Sequence, residues 1–323
     1  MSMRVFVTGA SGWIGSALIP ELISAGHEVT GLARSDASAA ALTEAGARVH
    51  RGDLDDLDAL RSAAQASDGV IHLAFNVGLA LSGNFQGAVD ADRRAVQALG
   101  EALTGSDRPL VMASVTLVLE PGRVGTETDA PGLDPADAVG PRARIVPEQA
   151  ALSFASRGVR ASAVRLPPTV YGDGDRGFLA SQIAIAQARG VSGFLGDGSN
   201  RWSAVHRLDA AHAFRLALEK APAGSLLHAV ADEGVPTRAI AEVIGRHLEL
   251  PVRSVPAGDA NEHFGPLAPF LAFDNPASSV LTRKLLGWQP TRPGLIEDLD
   301  EGHYFRSLPT PAAEPKGHHG GTS

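Results

Sequence analysis

Thr8-Gly9-Ala10-Ser11-Gly12-Trp13-Ile14-Gly15 is the stretch on which the reading of this chain turns. It follows a β-branched apolar run, Arg4 to Thr8 (RVFVT), that reads as a buried strand. It precedes a helical pattern that sets Ile14, Leu18, Leu22 and Ile23 on one face before Gly26 stops it. In that strand-turn-helix context the three glycines have separate duties. Gly9 permits the tight turn, Gly12 lets the backbone approach a diphosphate without a Cβ clash, and Gly15 lets the helix pack closely on the strand. The diphosphate then lies at a helix N-terminus, where free N–H groups and the helix dipole favour negative charge. Ser11, Trp13 and Ile14 complete the loop and are expected to touch a dinucleotide together with Gly9, Gly12 and Gly15. The competing possibility is a glycine-rich turn that binds nothing.

The residues after the second strand bear on which dinucleotide. An NAD site usually has an acidic residue there, about 20 residues beyond the glycines, to bind the ribose 2′-hydroxyl. Here the segment reads Leu32-Ala33-Arg34-Ser35-Asp36. The Arg34 guanidinium would attract a 2′-phosphate and Ser35 could donate a further hydrogen bond, which favours NADP(H) over NAD(H). Asp36 dissents, since it could bind a hydroxyl instead. A solvated arginine before a helix N-cap is the plainer alternative. Asp53, in Gly52-Asp53-Leu54, stands where a third strand would end; its carboxylate could accept from an adenine amine or merely make a turn.

Outward from the glycine loop, strands and helices alternate. Strands are expected at His27–Ala33, Arg48–His50, Gly69–Ala74 and Pro109–Ser114, with helices at Ala37–Ala45, Asp56–Ala66 and Phe85–Leu103. Strict β/α alternation with short connections predicts an α/β fold, a doubly wound parallel sheet (Rossmann type). Glu120 to Pro141 is rich in Gly, Pro and Asp and reads as a loop; a helix from about Arg142 to Ser156 and a strand from Val159 to Leu166 follow. A sheet-packing helix is expected at Leu208–Glu219 and a late strand at Ser225–Val230. This divides the chain into a dinucleotide-binding domain over 1–166, with returns at about 204–230, and a smaller interleaved substrate domain over 167–307. The stretch 308–323 is expected to be disordered, because its Pro, Gly and Thr cannot build a core.

Composition narrows the function. With 44% hydrophobic residues the chain can bury a sizeable core, and a net charge of −8 offers no basic surface for nucleic acid or anionic membrane. There is no cysteine, which excludes disulfides and thiolate chemistry. No apolar run approaches the roughly 20 residues of a spanning helix, and the N-terminal run ends in glycine rather than at a cleavage site, so a cytoplasmic protein is expected. The histidine pair His318-His319 has no carboxylate partners nearby, so no metal site is assigned.

Several motifs together resemble the extended short-chain dehydrogenase/reductase family, of the NAD-dependent epimerase/dehydratase kind. They are T-G-x-x-G-x-x-G at Thr8 to Gly15, G-D-L at Gly52 to Leu54, H-x-A at His72 to Ala74, Arg165-Leu-Pro-Pro-Thr-Val-Tyr-Gly172, Val205-His-Arg-Leu-Asp-Ala-Ala211 and Leu285-Leu-Gly-Trp-Gln-Pro290. The resemblance covers about residues 3 to 306. It implies a Rossmann domain with a small C-terminal substrate domain. It also implies cofactor contacts from Leu54, Leu73, Ala74, Phe75, Pro167 and Val170, and substrate contacts from Asn76, Arg201, Trp202 and His206. The helix Phe85–Leu103 would match the family's dimerisation helix, although its apolar face could equally pack on the sheet.

That family moves a proton through a tyrosine whose pKa is lowered by a lysine four residues later, beside a serine or threonine that positions the substrate oxygen. No Y-x-x-x-K occurs here. Counting back from Glu148 puts Arg144 at the lysine position and Gly140 at the tyrosine position, while Ser114 and Thr116 flank the serine position. Arg144 could hold the ribose hydroxyls but could not exchange protons; a solvated helix charge is the alternative. His206 is the best titrating candidate for an acid, with an ordinary pKa of about 6.5. Tyr171 could line the nicotinamide pocket. Two functions therefore compete: an atypical NADP(H)-dependent oxidoreductase acting on a small carbonyl or alcohol with a non-standard proton donor, and a non-catalytic NADP(H)-binding sensor or scaffold.

Overall fold

A computed structural model describes residues 2–129, 134 and 137–306. The disorder expected for 308–323 concerns residues outside that set. The strands are β1 Arg4–Thr8, β2 Glu28–Ala33, β3 Arg48–Arg51, β4 Gly69–His72, β5 Pro109–Val115, β6 Arg160–Leu166, β7 Thr169–Tyr171, β8 Ser192–Leu195, β9 Arg201–His206, β10 Ser225–His228, β11 Asp232–Pro236 and β12 Val252–Val255.

Seven of them form one sheet in the order β10-β6-β5-β4-β1-β2-β3. All of its pairings are parallel, so every strand ends on the same edge. The reason is legible in β1. Successive strand side chains point to opposite faces. Val5 and Val7 enter a core with Leu18 and Leu22 of the helix Gly15–Ser24 and Phe214 and Leu218 of the helix Arg207–Lys220. Phe6 enters the opposite core with Leu60, Leu99 and Leu103. A strand covered on both faces needs no polar alternation, and each such buried side chain contributes about 1.5–3 kcal/mol.

The helix Phe85–Leu103 has its expected bounds. Its apolar face, including Val89, Val96 and Leu99, is buried within the chain, against the helices Leu57–Gln65 and Ile145–Ser153 and the sheet. The helix expected over 142–156 is narrower, Ile145–Ser153, with a tight 3-10 turn at each end.

The second half is built around β9, which pairs parallel with β7 and antiparallel with β11; β8 and β12 form a separate parallel pair. Residues 204–206 belong to β9 in the small sheet, and the return to the large sheet begins only with the helix Arg207–Lys220 and β10. Asp209, at the start of that helix, is buried and accepts from the Thr291 and Arg292 N–H groups at 3.0 Å each, while the Trp288 indole donates to the Asp209 carbonyl. The V-H-x-x-D and L-G-W-x-P segments are thus tied to each other.

Candidate dinucleotide site and the adjoining sheet edge

Because the sheet is parallel, the loops after β1, β4, β5 and β6 meet at one edge, the place where α/β sheets bind ligands. The first of these loops is built from backbone. Gly9 has φ +66°, and a Cβ there would stand 2.7 Å from the Ala74 nitrogen. Its carbonyl accepts from the Gly12 N–H at 2.9 Å, which closes the turn. A Cβ at Gly15 would stand 2.2 Å from the Gly9 oxygen and 2.5 Å from the Ala10 oxygen, so only hydrogen fits. Gly12 and Ser11 are exposed, and Trp13 and Ile14 are half-buried. The first N–H groups of a helix have no acceptor within it. An exposed glycine cradle feeding such a terminus fits a diphosphate.

On the adenosine side, Arg34 is exposed just after β2. Ser35 caps the helix Asp36–Glu44 by accepting from the Ser38 N–H at 3.2 Å. Asp36 pairs with Arg51 at 2.6 Å, so its carboxylate already has a cation. Asp53 takes the turn role: its Oδ1 accepts from the N–H groups of Asp55 and Asp56 at 2.9 and 3.1 Å. Leu54 is half-buried against the second core.

Behind the loop runs a buried chain of polar groups. The Thr8 hydroxyl meets His72 Nδ1 at 2.8 Å and accepts from the Ala74 N–H; His72 Nε2 meets Asp92 at 2.7 Å. Asp92 also accepts from Arg144, whose other terminal nitrogen donates to the Ala113 carbonyl at 2.7 Å. One assignment satisfies every member: Thr8 donates to Nδ1, and Nε2–H donates to Asp92. The Phe75 ring lies 4.2 Å from the Arg144 guanidinium. Arg144 is only 6% exposed. It is therefore not a solvated helix charge, and its guanidinium is held inward by Asp92 and Ala113.

Two further sets of buried contacts hold the catalytic candidates Ser114, at the end of β5, and Thr116, just after it. Ser114 donates to Glu148 at 2.5 Å, and Arg165 donates to both oxygens of Glu148 at 3.0 and 2.6 Å. All three are buried. Thr116 donates to Asn275 at 2.6 Å, and the Asn275 amide donates back to the Thr116 carbonyl. Both hydroxyls are committed to internal acceptors.

Tyr171 is fully buried; its hydroxyl donates to the Pro293 carbonyl at 2.8 Å and approaches Asp232. Burial, reinforced by Asp232 and Asp298, pushes its phenol far above the ordinary tyrosine range. Its ring packs in the core of the second half, among Leu179, Ile183 and Leu295. Tyr304 is pushed up in the same way by burial and by Asp175. His206 caps the helix Arg207–Lys220, its Nδ1 accepting from the Leu208 N–H at 3.2 Å. Burial lowers its pKa, and the nearby Asp298 and Asp209 only partly offset this.

Of the substrate-side candidates, Asn76 caps the helix Val77–Leu81. Arg201 is held by Asp274 through Nε at 3.1 Å and Nη2 at 2.8 Å. Trp202 is fully buried and donates to the Phe273 carbonyl. The edge thus brings together Gly9–Gly15, Leu73–Phe75 and Val170. It does not bring Tyr171, Arg201 or Trp202 to a common open surface. Partners that escaped the sequence reading include Asp92, Asp274 and Asn275. Asp92 alone left a signal, an acid on the apolar face shared by Val89 and Val96.

Comparison with known proteins agrees with this architecture. The NAD dependent epimerase/dehydratase family matches residues 5–228, and the chain belongs to that family. It is 49% identical over 304 residues to the uncharacterized protein C2A9.02 of Schizosaccharomyces pombe, covering 94% of this chain and 100% of that protein. It is 48% identical over 299 residues to the uncharacterized protein YLL056C of Saccharomyces cerevisiae, covering 92% and 98%. Among solved structures, MoeE5 in complex with UDP-glucose and NAD is similar at a TM-score of 0.72 and 27% identity, covering 92% of this chain and 96% of that one.

Proposed function

We propose that this chain is an NADP(H)-dependent oxidoreductase acting on a small carbonyl or alcohol at the C-terminal edge of its sheet, without a tyrosine as proton donor. The observation that carries the reading is the glycine cradle: an exposed Gly12 between a tight turn at Gly9 and a Gly15 too crowded for any Cβ. A nicotinamide dinucleotide bound there would give or take a hydride. The preference for the 2′-phosphate form rests on Arg34, exposed after β2, and on Asp36 being paired with Arg51. NAD(H) is the competing cofactor, favoured by its presence in the MoeE5 complex.

The protein's part in the reaction is then binding and orientation. The Gly9–Gly15 backbone holds the diphosphate, and Arg144, fixed by Asp92, supports Phe75 at the edge. Burial pushes both phenols far above the ordinary tyrosine range, which argues against either as the proton donor. The test is loss of NADPH absorbance across a panel of small aldehydes and ketones. Turnover is expected with at least one class, and Arg34→Ala should weaken NADP⁺ about tenfold while leaving NAD⁺ unchanged.

A second reading, a dinucleotide-binding sensor without chemistry, is favoured by the internal commitment of Ser114, Thr116 and Arg144. It requires tight binding, no turnover with any substrate of the panel, and a partner protein whose affinity changes with the dinucleotide.

A further inference from the structure

We infer that Trp13 is a positioning residue that latches the phosphate loop to β7 and the turn that follows it, so that the diphosphate site and the Val170–Gly174 segment tighten together. The inference rests on the dinucleotide reading above. Trp13 stands between Gly12 and Ile14, within the loop itself, yet its indole reaches across 157 residues of sequence to donate to the Val170 carbonyl at 2.8 Å. The Arg207 guanidinium lies 4.4 Å from the centre of its ring and holds it from the other side. A Cβ at Gly174 would stand 3.8 Å from the indole, which leaves the ring seated against the turn.

The turn needs such a hold. β7 is a three-residue edge strand, paired only with β9. Beyond it, the Gly172 N–H donates to the Tyr304 hydroxyl at 3.1 Å, and that hydroxyl in turn approaches Asp175 at 3.2 Å. His206 closes on Gly172, with Nε2 2.9 Å from where a Cβ would be. The C-terminal segment therefore grips the turn from one side and Trp13 from the other. Only Trp13 belongs to the dinucleotide loop. Binding that orders the Gly12–Ile14 backbone must also order the indole, and through it Val170.

The chain supplies its own reporter. It contains three tryptophans, and Trp202 and Trp288 are fully buried, each bonded to a carbonyl. A ligand-dependent change in indole emission that Trp13→Phe abolishes originates at half-buried Trp13. The experiment uses the full chain, as wild type and Trp13→Phe, titrated with NADP⁺ and NAD⁺ by calorimetry. Hydrogen exchange of the 169–177 segment is followed with and without dinucleotide. The phenyl ring keeps a face for Arg207 and loses the indole N–H. We expect Trp13→Phe to bind about five- to tenfold more weakly. It should gain none of the protection at 169–177 that wild type gains, while its unfolding midpoint without ligand falls by no more than the few degrees that one part-buried hydrogen bond is worth.

Heat in wild type with equal affinity and equal protection in the variant overturns the latch alone. No heat in wild type with either dinucleotide overturns the cofactor reading and the latch with it. Should Trp13→Phe fail to fold, wild type still decides: binding without any change in emission or in exchange at 169–177 refutes the coupling.

Discussion

Asp92→Asn is the sharpest test of how the sheet edge is held. Asp92 is fully buried and accepts from both Arg144 and His72. The asparagine is isosteric and can still accept from His72 Nε2–H, so packing and one hydrogen bond survive. What is lost is the negative charge opposite a guanidinium that is 6% exposed and lies against Phe75. Stranding one member of a buried pair costs about 3–5 kcal/mol. At about 2 °C per kcal/mol for a chain this large, the thermal midpoint falls by roughly 6–10 °C. Removing the stranded charge should restore part of that, so Asp92→Asn/Arg144→Met is expected to be more stable than Asp92→Asn alone, by about 1–3 kcal/mol. Denaturant titration of the four proteins completes the cycle. A single-variant loss below about 1 kcal/mol, the range of an exposed pair, would refute the claim that Arg144 is a buried, internally committed charge.

Further outcomes follow from the same contacts. Gly15→Ala must push against the Gly9 and Ala10 carbonyls, so it should cost about 1–3 kcal/mol in a melt and abolish dinucleotide binding. Gly12→Ala, which meets only the Gly9 oxygen at 3.0 Å, should fold normally and bind more weakly. His228 is lowered by burial to about 4. Unfolded, it takes its proton near 6.5, so between about 6.5 and 4 the unfolded chain binds more protons and stability drops as the pH falls through that window. That slope should flatten in His228→Asn, and an unchanged acid profile would contradict the assignment. Tyr171→Phe should lower stability by about 1 kcal/mol through loss of the bond to Pro293, yet leave the pH dependence of turnover as in wild type. A displaced basic limb would mean that its phenol titrates after all.

The first half of the chain was legible because its sheet is covered on both faces. Runs such as RVFVT and PLVMAS are apolar between their end residues. The long helix Phe85–Leu103 was readable because its apolar stripe is regular and Asn84 caps it. Beyond Pro167 the signals fail for local reasons. β7, β8 and β12 are three or four residues long, too short for a period to show. The helix Phe178–Arg189 (FLASQIAIAQAR) mixes apolar and small residues around its circumference, so no face stands out.

Within the candidate site, the glycine loop carried its geometry in its spacing, because its duties are local. The partners of Arg144 and Arg201 did not. Asp92 lies 52 residues from Arg144, and Asp274 lies 73 from Arg201, and no pattern in the sequence joins them. Arg201 stood beside the V-H-x-x-D segment and invited a substrate role, but it is a bidentate partner of Asp274. The pairing of Asp36 with Arg51 of the neighbouring strand β3 has no signature in the local sequence either.

The account depends most on the Gly9–Gly15 backbone holding the diphosphate of a nicotinamide dinucleotide. Calorimetric titration of the pure protein with NADPH, run beside Gly12→Val, addresses this most directly. We predict saturable heat with one dinucleotide per chain in wild type, and none in a Gly12→Val variant that melts at the same temperature. Equal heats from the two proteins, or none from wild type with either NADPH or NADH, would contradict it.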